Sequence, residues 1–159
     1  MYTTIAWATD ASPSALNALK VATGQARQFG AKLAIIHVQE VLIGRSGIFV
    51  DPNEAAVAAL HRTAQQLRDD GIDTTVSVSR APAGKAAETI IGLAAEAGAD
   101  MIVVGNRGHG PLAGLFLGSV ALQLLRVSPY PVVMVPSRNT SEPSSAVVDA
   151  VPDASPARA

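Results

Sequence analysis

The chain has 159 residues, no cysteine, 48% hydrophobic and 16% charged residues, and a formal net charge of -1. One domain with an ordinary core is the expectation at this length, and the missing cysteines exclude a disulfide scaffold, a cysteine-ligated zinc site and a thiol nucleophile. The near-neutral charge leaves no basic footprint for nucleic acid or for a membrane surface, no apolar run approaches the roughly 18–20 residues of a bilayer span, and the opening MYTTIAWATD lacks the basic start of a signal peptide, so a cytoplasmic protein is expected.

The first strand is expected at residues 4–8, followed by Thr9 and Asp10. Ser12 and Pro13 supply an N-cap and a first-turn proline for a helix running to Gly30, with Leu16, Leu19, Ala22, Ala26 and Phe29 on its inner face. LAIIHV at 33–38 reads as a second strand. Residues 41–53 form a long connection with two glycines, of the length that suits a lid or a surface loop. A second helix is expected from Asp51-Pro52 to Asp70, with Val57, Leu60, Ala64 and Leu67 inward and Gly71 as its stop. TTVSVS alternates, which suits an edge strand at 74–78 with one wetter face. A third helix follows over 84–97, using Ala87, Ile90, Ile91, Leu93 and Ala94. MIVV at 101–104, a helix over 118–127 halted by Ser128-Pro129, and PVVMV at 131–135 complete the order.

Strands alternating with helices at this spacing imply an α/β fold, an open doubly wound sheet of five parallel strands with helices on both faces. The expected strand order is 3-2-1-4-5. Residues 137–159, rich in Ser, Pro, Ala and Asp, have too little to bury and read as a disordered tail, leaving 1–136 as the domain.

The chemistry concentrates after MIVV, where five glycines (Gly105, Gly108, Gly110, Gly114 and Gly118) separate a buried strand from a helix start. Glycine there costs backbone entropy unless the chain must turn sharply or approach something closely. A strand, a glycine-rich turn and a helix N-terminus together make an anion-binding arrangement, because unpaired amides and the positive end of the helix dipole face the turn. Charge agrees: no acid lies between Asp100 and Glu142, while Arg107, Arg126 and Arg138 are basic. No lysine stands where a Walker A loop needs one. Gly108-x-Gly110-x-x-Ala113 satisfies a dinucleotide fingerprint, but it follows the fourth strand and lacks the ribose-binding acid about 20 residues on.

The spacing that fits is G-2x-G-9x-G-[ST], running from Gly105 and Gly108 to Gly118-Ser119. Here the sequence resembles the universal stress protein family, in its ATP-binding branch, over about residues 2–136. The resemblance implies that Gly105, Gly108, Gly118, Ser119 and Val120 contact phosphates or ribose. It also implies that Ala8, Thr9 and Asp10 end the first strand beside the nucleotide, and that Val38, after His37, lines the adenine pocket. Asn106-Arg107 departs from the more usual Thr or Ser followed by His or Arg. This leaves cyclic AMP open as an alternative ligand to ATP, with Mg²⁺ carried in by the nucleotide. His109 lies in the same loop and is a candidate anion contact or a plain surface residue.

No serine–histidine–aspartate order, H-E-x-x-H or paired carboxylates appear. Asp10 is the one acid placed for phosphoryl chemistry, which needs positioned acids and metal. A regulatory nucleotide-binding protein in the stress response, with at most slow hydrolysis, is therefore the expected function; a nucleotide hydrolase or a pure interaction module are the rivals. The apolar last strand at 131–136 would lie at a sheet edge, and it predicts a homodimer through that edge, as the resemblance also implies.

Overall fold

Strand runs made almost wholly of valine, isoleucine and alanine need cover on both faces, and the folded chain provides it. The structure, a computed structural model, describes residues 1–12, 15–44, 47–49, 53–106 and 118–136. In chain order the elements are β1 (Thr4–Thr9), α1 (Ala15–Phe29), β2 (Lys32–Gly44), β3 (Gly47–Phe49), α2 (Glu54–Asp69), β4 (Thr74–Pro82), α3 (Ala86–Glu96), β5 (Met101–Gly105), α4 (Ser119–Val127) and β6 (Val132–Val135).

Five strands run parallel in the order β4-β2-β1-β5-β6. This is the 3-2-1-4-5 order expected from the sequence. The short β3 is an addition, pairing antiparallel with the far end of β2 through Leu42↔Phe49 and Gly44↔Gly47. The long connection expected at 41–53 is therefore in part a hairpin. β2 outruns the expected 33–38 because β4 pairs with it continuously, from Leu33↔Thr74 to Val41↔Pro82. In this continuation Gln39 is half-buried and Glu40 exposed, where the two strands run on together.

Side chains alternate across the sheet and build one apolar cluster on each face. Ile5, Trp7, Leu33, Ile35, Met101 and Val103 meet α1 and α2. Ala6, Ala8, Ile36, Ile102 and Val104 meet α3 and α4. Burying each large aliphatic contributes about 1.5–3 kcal/mol, and Ile5, Leu33, Ile35, Ile36 and Ile102 are completely buried.

The inner face of α1 differs from the expected one. It is Ala15, Ala18, Ala22, Thr23 and Ala26 that are buried, whereas Leu16 is 53% exposed and Phe29 38% exposed. The large residues come from the sheet, so the helix side of the contact is small and the backbone lies close. Leu19 keeps a half-buried place against the cluster, and Phe29 packs edge-on against Tyr2 at 5.3 Å. In α2, Leu60, Ala64 and Leu67 are buried as expected. Its start falls later than Asp51-Pro52, because the Asn53 side chain takes the N-cap, accepting from Ala56 N at 3.3 Å. Gly30 and Gly71 end their helices with φ of 63° and 86°, the left-handed conformation that favours glycine.

The foot of the sheet is fastened by Asp100. Its Oδ2 accepts from Thr3 N, from Thr3 Oγ1 at 2.7 Å and from Thr4 N at 3.0 Å. The Thr3 amide, then the Thr3 hydroxyl and the Thr4 amide, hold this carboxyl below the ordinary aspartate range. Among the described residues, no helix is long and apolar enough to cross a membrane.

Candidate nucleotide crevice

In a doubly wound sheet the first strand has neighbours reached by chains running in opposite directions, and the crevice between the connections opens at the carboxyl ends of the strands. Here those strands are β1 and β5, paired from Ile5↔Met101 to Ala8↔Val104. Each continues briefly beyond that last pair, β1 into Thr9 and Asp10, β5 into Gly105 and Asn106.

The β1 end turns through a tight hydrogen-bonded corner. Thr9 Oγ1 accepts from Ala11 N at 3.0 Å, and Asp10 Oδ1 accepts from Ser12 N at 3.0 Å. These are the short-range bonds that Thr and Asp side chains offer a turning backbone. Ala11 sits at φ 61°, among the described residues the sole non-glycine with positive φ. Behind the corner lies His37, 3% exposed and paired in register with Thr9. Its Nδ1 stands 2.8 Å from the Thr9 carbonyl oxygen.

The β5 end is pinned on two sides. Asn106 N donates to the Val135 carbonyl at 2.8 Å, tying the strand end to β6, and Gly118 N donates to the Asn106 carbonyl at 2.8 Å. The second bond returns the chain after residues 107–117 to the point where it left β5. It sets the N-terminus of α4 beside Asn106. The N-cap of that helix is Gly118, which has no side chain to satisfy the first-turn amides. The helix dipole adds positive potential at the same place. Gly118 has φ -58° and ψ 142°, a conformation open to any residue, so backbone strain is not the reason for glycine here. Glycine is an accepted N-cap residue and leaves this backbone uncovered by a side chain.

The expected site residues fall into three groups. Thr9, Asp10, Gly105, Asn106, Gly118 and Ser119 lie at the strand ends and the α4 start. Ala8, Val38 and Val120 belong to the apolar cluster on the α3–α4 face, with Ala8 buried and the other two half-buried. Arg107, Gly108 and His109 lie outside the described residues, as does the expected tail at 137–159. Among the described residues no group of three or more His, Asp or Glu is placed to hold a metal ion. At the end of a buried strand, His37 reads from the sequence as structural rather than as a ligand, and nothing marks the positive φ at Ala11. A lone imidazole at the end of an apolar strand bordering the first was the available signal for His37.

A parallel sheet in this order, with the start of α4 set beside the end of β5 next to the first strand, defines a doubly wound α/β protein. The chain matches the universal stress protein family over residues 1–136 and belongs to it. It is 36% identical over 141 residues to a universal stress protein encoded 3′ of a QAH/OAS sulfhydrylase in Thermus aquaticus, covering 85% of this chain and 99% of that one. Among solved structures it resembles a universal stress protein in complex with cAMP, with a TM-score of 0.60, 29% identity, and coverage of 86% of this chain and 98% of the other. It also shares the fold of a universal stress protein from Archaeoglobus fulgidus in complex with dAMP, with a TM-score of 0.61, 24% identity, and coverage of 84% and 97%.

Proposed function

We propose that this universal stress protein binds ATP in the crevice between β1 and β5 and acts as a regulatory, cytoplasmic protein of the stress response, with little or no catalysis of its own. The observation that carries the reading is the Gly118–Asn106 bond, which sets uncapped amides of α4 against the strand ends. An anion gains from those amides and from the dipole behind them, and the chain offers no acid between Asp100 and Glu142 to oppose it. On this reading Gly105, Asn106, Gly118, Ser119 and Val120 take the phosphates and ribose, together with Arg107, Gly108 and His109 from the connecting loop. Ala8 and Val38 face the adenine, and Thr9 and Asp10 border the ribose.

Mg²⁺ enters with the polyphosphate, and Asp10 is the carboxylate that the β1 end supplies toward it; one protein carboxylate suffices when phosphates provide the other ligands. Efficient hydrolysis would need further positioned acids and a water-orienting group, so turnover is slow or nil. Cyclic AMP is the second reading, supported by the related protein solved with that ligand. Mass spectrometry of nucleotide released from denatured, freshly purified protein tests both, followed by calorimetric titration with ATP and with cyclic AMP. ATP recovered and bound supports the first reading; a preference for cyclic AMP replaces it; no nucleotide in either experiment rejects both.

The same reading includes a homodimer formed through β6. That strand ends the sheet order, and beside it α4 exposes Leu122, Leu125 and Val127.

A further inference from the structure

We propose that His37 is a positioning residue for the nucleotide crevice: its imidazole holds the Thr9–Asp10 peptide, and with it the Asp10 corner, in the orientation the crevice uses. The inference rests on the proposed nucleotide reading but starts from a separate observation, a buried side chain hydrogen-bonded to the last residue of β1. The His37 Nδ1 atom lies 2.8 Å from the Thr9 carbonyl oxygen. A carbonyl oxygen has no proton to give, so Nδ1 must carry the hydrogen. In the neutral tautomer selected by this bond, the lone pair falls on Nε2. That atom is buried and has no hydrogen-bond partner among the described residues. An aliphatic side chain of similar size would fill the same space without stranding an acceptor. What the imidazole adds over such a side chain is therefore the Nδ1 donor.

The position of that donor matters because β1 ends at Thr9. Thr9 pairs with His37 on one side, while pairing with β5 on the other side stops at Ala8↔Val104. The Thr9–Asp10 peptide is thus where β1 leaves the sheet. Beyond it the chain holds Ala11 at φ 61° and relies on the Thr9 and Asp10 side chains to satisfy the Ala11 and Ser12 amides. A strained residue persists only when its surroundings over-determine it. The His37 bond ties the corner to β2, a strand that itself pairs on both sides with β1 and β4. Alternation along the strand sends His37 to the α1–α2 face with Ile35 and Leu33, while the neighbouring Val38 lies in the α3–α4 cluster. Adjacent residues of β2 thereby serve two ends: Val38 the apolar cluster, His37 the strand terminus.

The test compares full-length wild type, His37→Leu and His37→Asn. Leucine keeps the buried volume without a donor; asparagine carries an amide N–H close to where Nδ1–H stands. Three measurements are made: melting temperature, amide hydrogen exchange at Ala11 and Ser12 in nucleotide-free protein, and affinity for ATP and cyclic AMP by calorimetry. The expected result is faster exchange at Ala11 and Ser12 in His37→Leu, with amides of β5 unchanged. Affinity should fall about tenfold, the loss of roughly one hydrogen bond, and His37→Asn should restore both. If His37→Leu binds and exchanges like wild type, or if His37→Asn fails to recover what leucine lost, the proposal is overturned. Should wild type bind neither nucleotide, the functional reading fails by itself, and His37 is then judged on exchange alone: unaltered protection at Ala11 and Ser12 in a folded His37→Leu protein rejects its positioning role. Where His37→Leu does not fold, the asparagine variant carries the comparison, and wild-type protection with wild-type affinity in it supports the donor while loss of either refutes it.

Discussion

Gly118 gives its backbone N–H to the carbonyl of Asn106 at 2.8 Å, and Asn106 gives its own to Val135 at 2.8 Å. Two short bonds thus bring together the end of β5, the start of α4 and the last residue of β6. On the proposed reading, side chains introduced at the glycines of this junction obstruct the phosphates. Gly118→Val and Gly105→Val should each bring nucleotide binding below detection. Because Gly118 has φ -58°, the valine meets no backbone strain and the protein should keep native circular dichroism. On the same reading Ser119→Ala removes one hydrogen bond to a phosphate and should cost about 1.5–3 kcal/mol of binding free energy. Calorimetric titration reads all three, and unchanged affinity in both folded valine variants would sink the phosphate assignment.

Asp100 gives a pH-dependent contribution to stability. Its carboxyl is held low by the Thr3 amide first, then by the Thr3 hydroxyl and the Thr4 amide. A folded-state value below the unfolded one means that the stabilisation is complete above the ordinary aspartate range and disappears as pH falls through the depressed folded value. Wild type should therefore melt above Asp100→Ala by a constant margin near neutrality. The gap should close in acid, below about pH 4. Melting curves taken across that range decide it; a margin that persists unchanged at the most acid pH at which both proteins fold would contradict the linkage.

Ala11 is strained in place. An L-residue in the left-handed region costs roughly 1–2 kcal/mol, and glycine there relieves this while giving the unfolded chain about 0.4–1 kcal/mol of extra entropy. Ala11→Gly should thus stabilise the protein by about 0.5–1 kcal/mol. Ala11→Val should destabilise it, since a branched Cβ fits the left-handed backbone at this position worse than a methyl group does. Urea unfolding of the three proteins gives the order, and a glycine variant no more stable than wild type together with a neutral valine variant would show the corner to be unstrained.

Periodicity read well wherever one residue type dominated a face. MIVV announced a buried parallel strand and PVVMV a parallel strand that is half-buried at the sheet edge, and Leu60, Ala64 and Leu67 marked the inner stripe of α2. It read poorly in α1, where Leu16 looked like core and is exposed while Ala18 and Ala22 are completely buried. Hydrophobicity alone ranks leucine above alanine; close packing against Trp7 and Ile35 reverses the order, because the large partner is already supplied by the sheet. The same holds at the candidate site. The glycine spacing pointed to the strand ends, since glycine is costly without a backbone reason. His37 gave no such signal, because its contribution is a bond to a carbonyl on another strand, which only the register Thr9↔His37 makes visible.

The proposed dimer is tested at β6. Among the described residues this strand has β5 on one side and ends the sheet order on the other, which leaves its outer edge to pair with a second chain. Two copies meeting antiparallel about a two-fold axis satisfy both edges and close the assembly. The surface around the edge suits burial. Val132 and Met134 are half-buried on the α3–α4 side, and α4 leaves Leu122 at 44% and Leu125 at 50% exposure. Val133 lies half-buried on the other face, so a lysine at 133 or at 134 places a charge against the partner on one face or the other. Both Val133→Lys and Met134→Lys should yield monomers, at some cost in stability. Wild type should be dimeric with nucleotide removed, because β5 stands between β6 and β1, and the pairing edge faces away from the crevice. Since Asn106 is bonded to the Val135 carbonyl, the lysine variants should also bind nucleotide somewhat more weakly than wild type without losing it. Sedimentation velocity at tens of micromolar reads the assembly, and either a monomeric wild type or a dimer indifferent to both lysines would refute it.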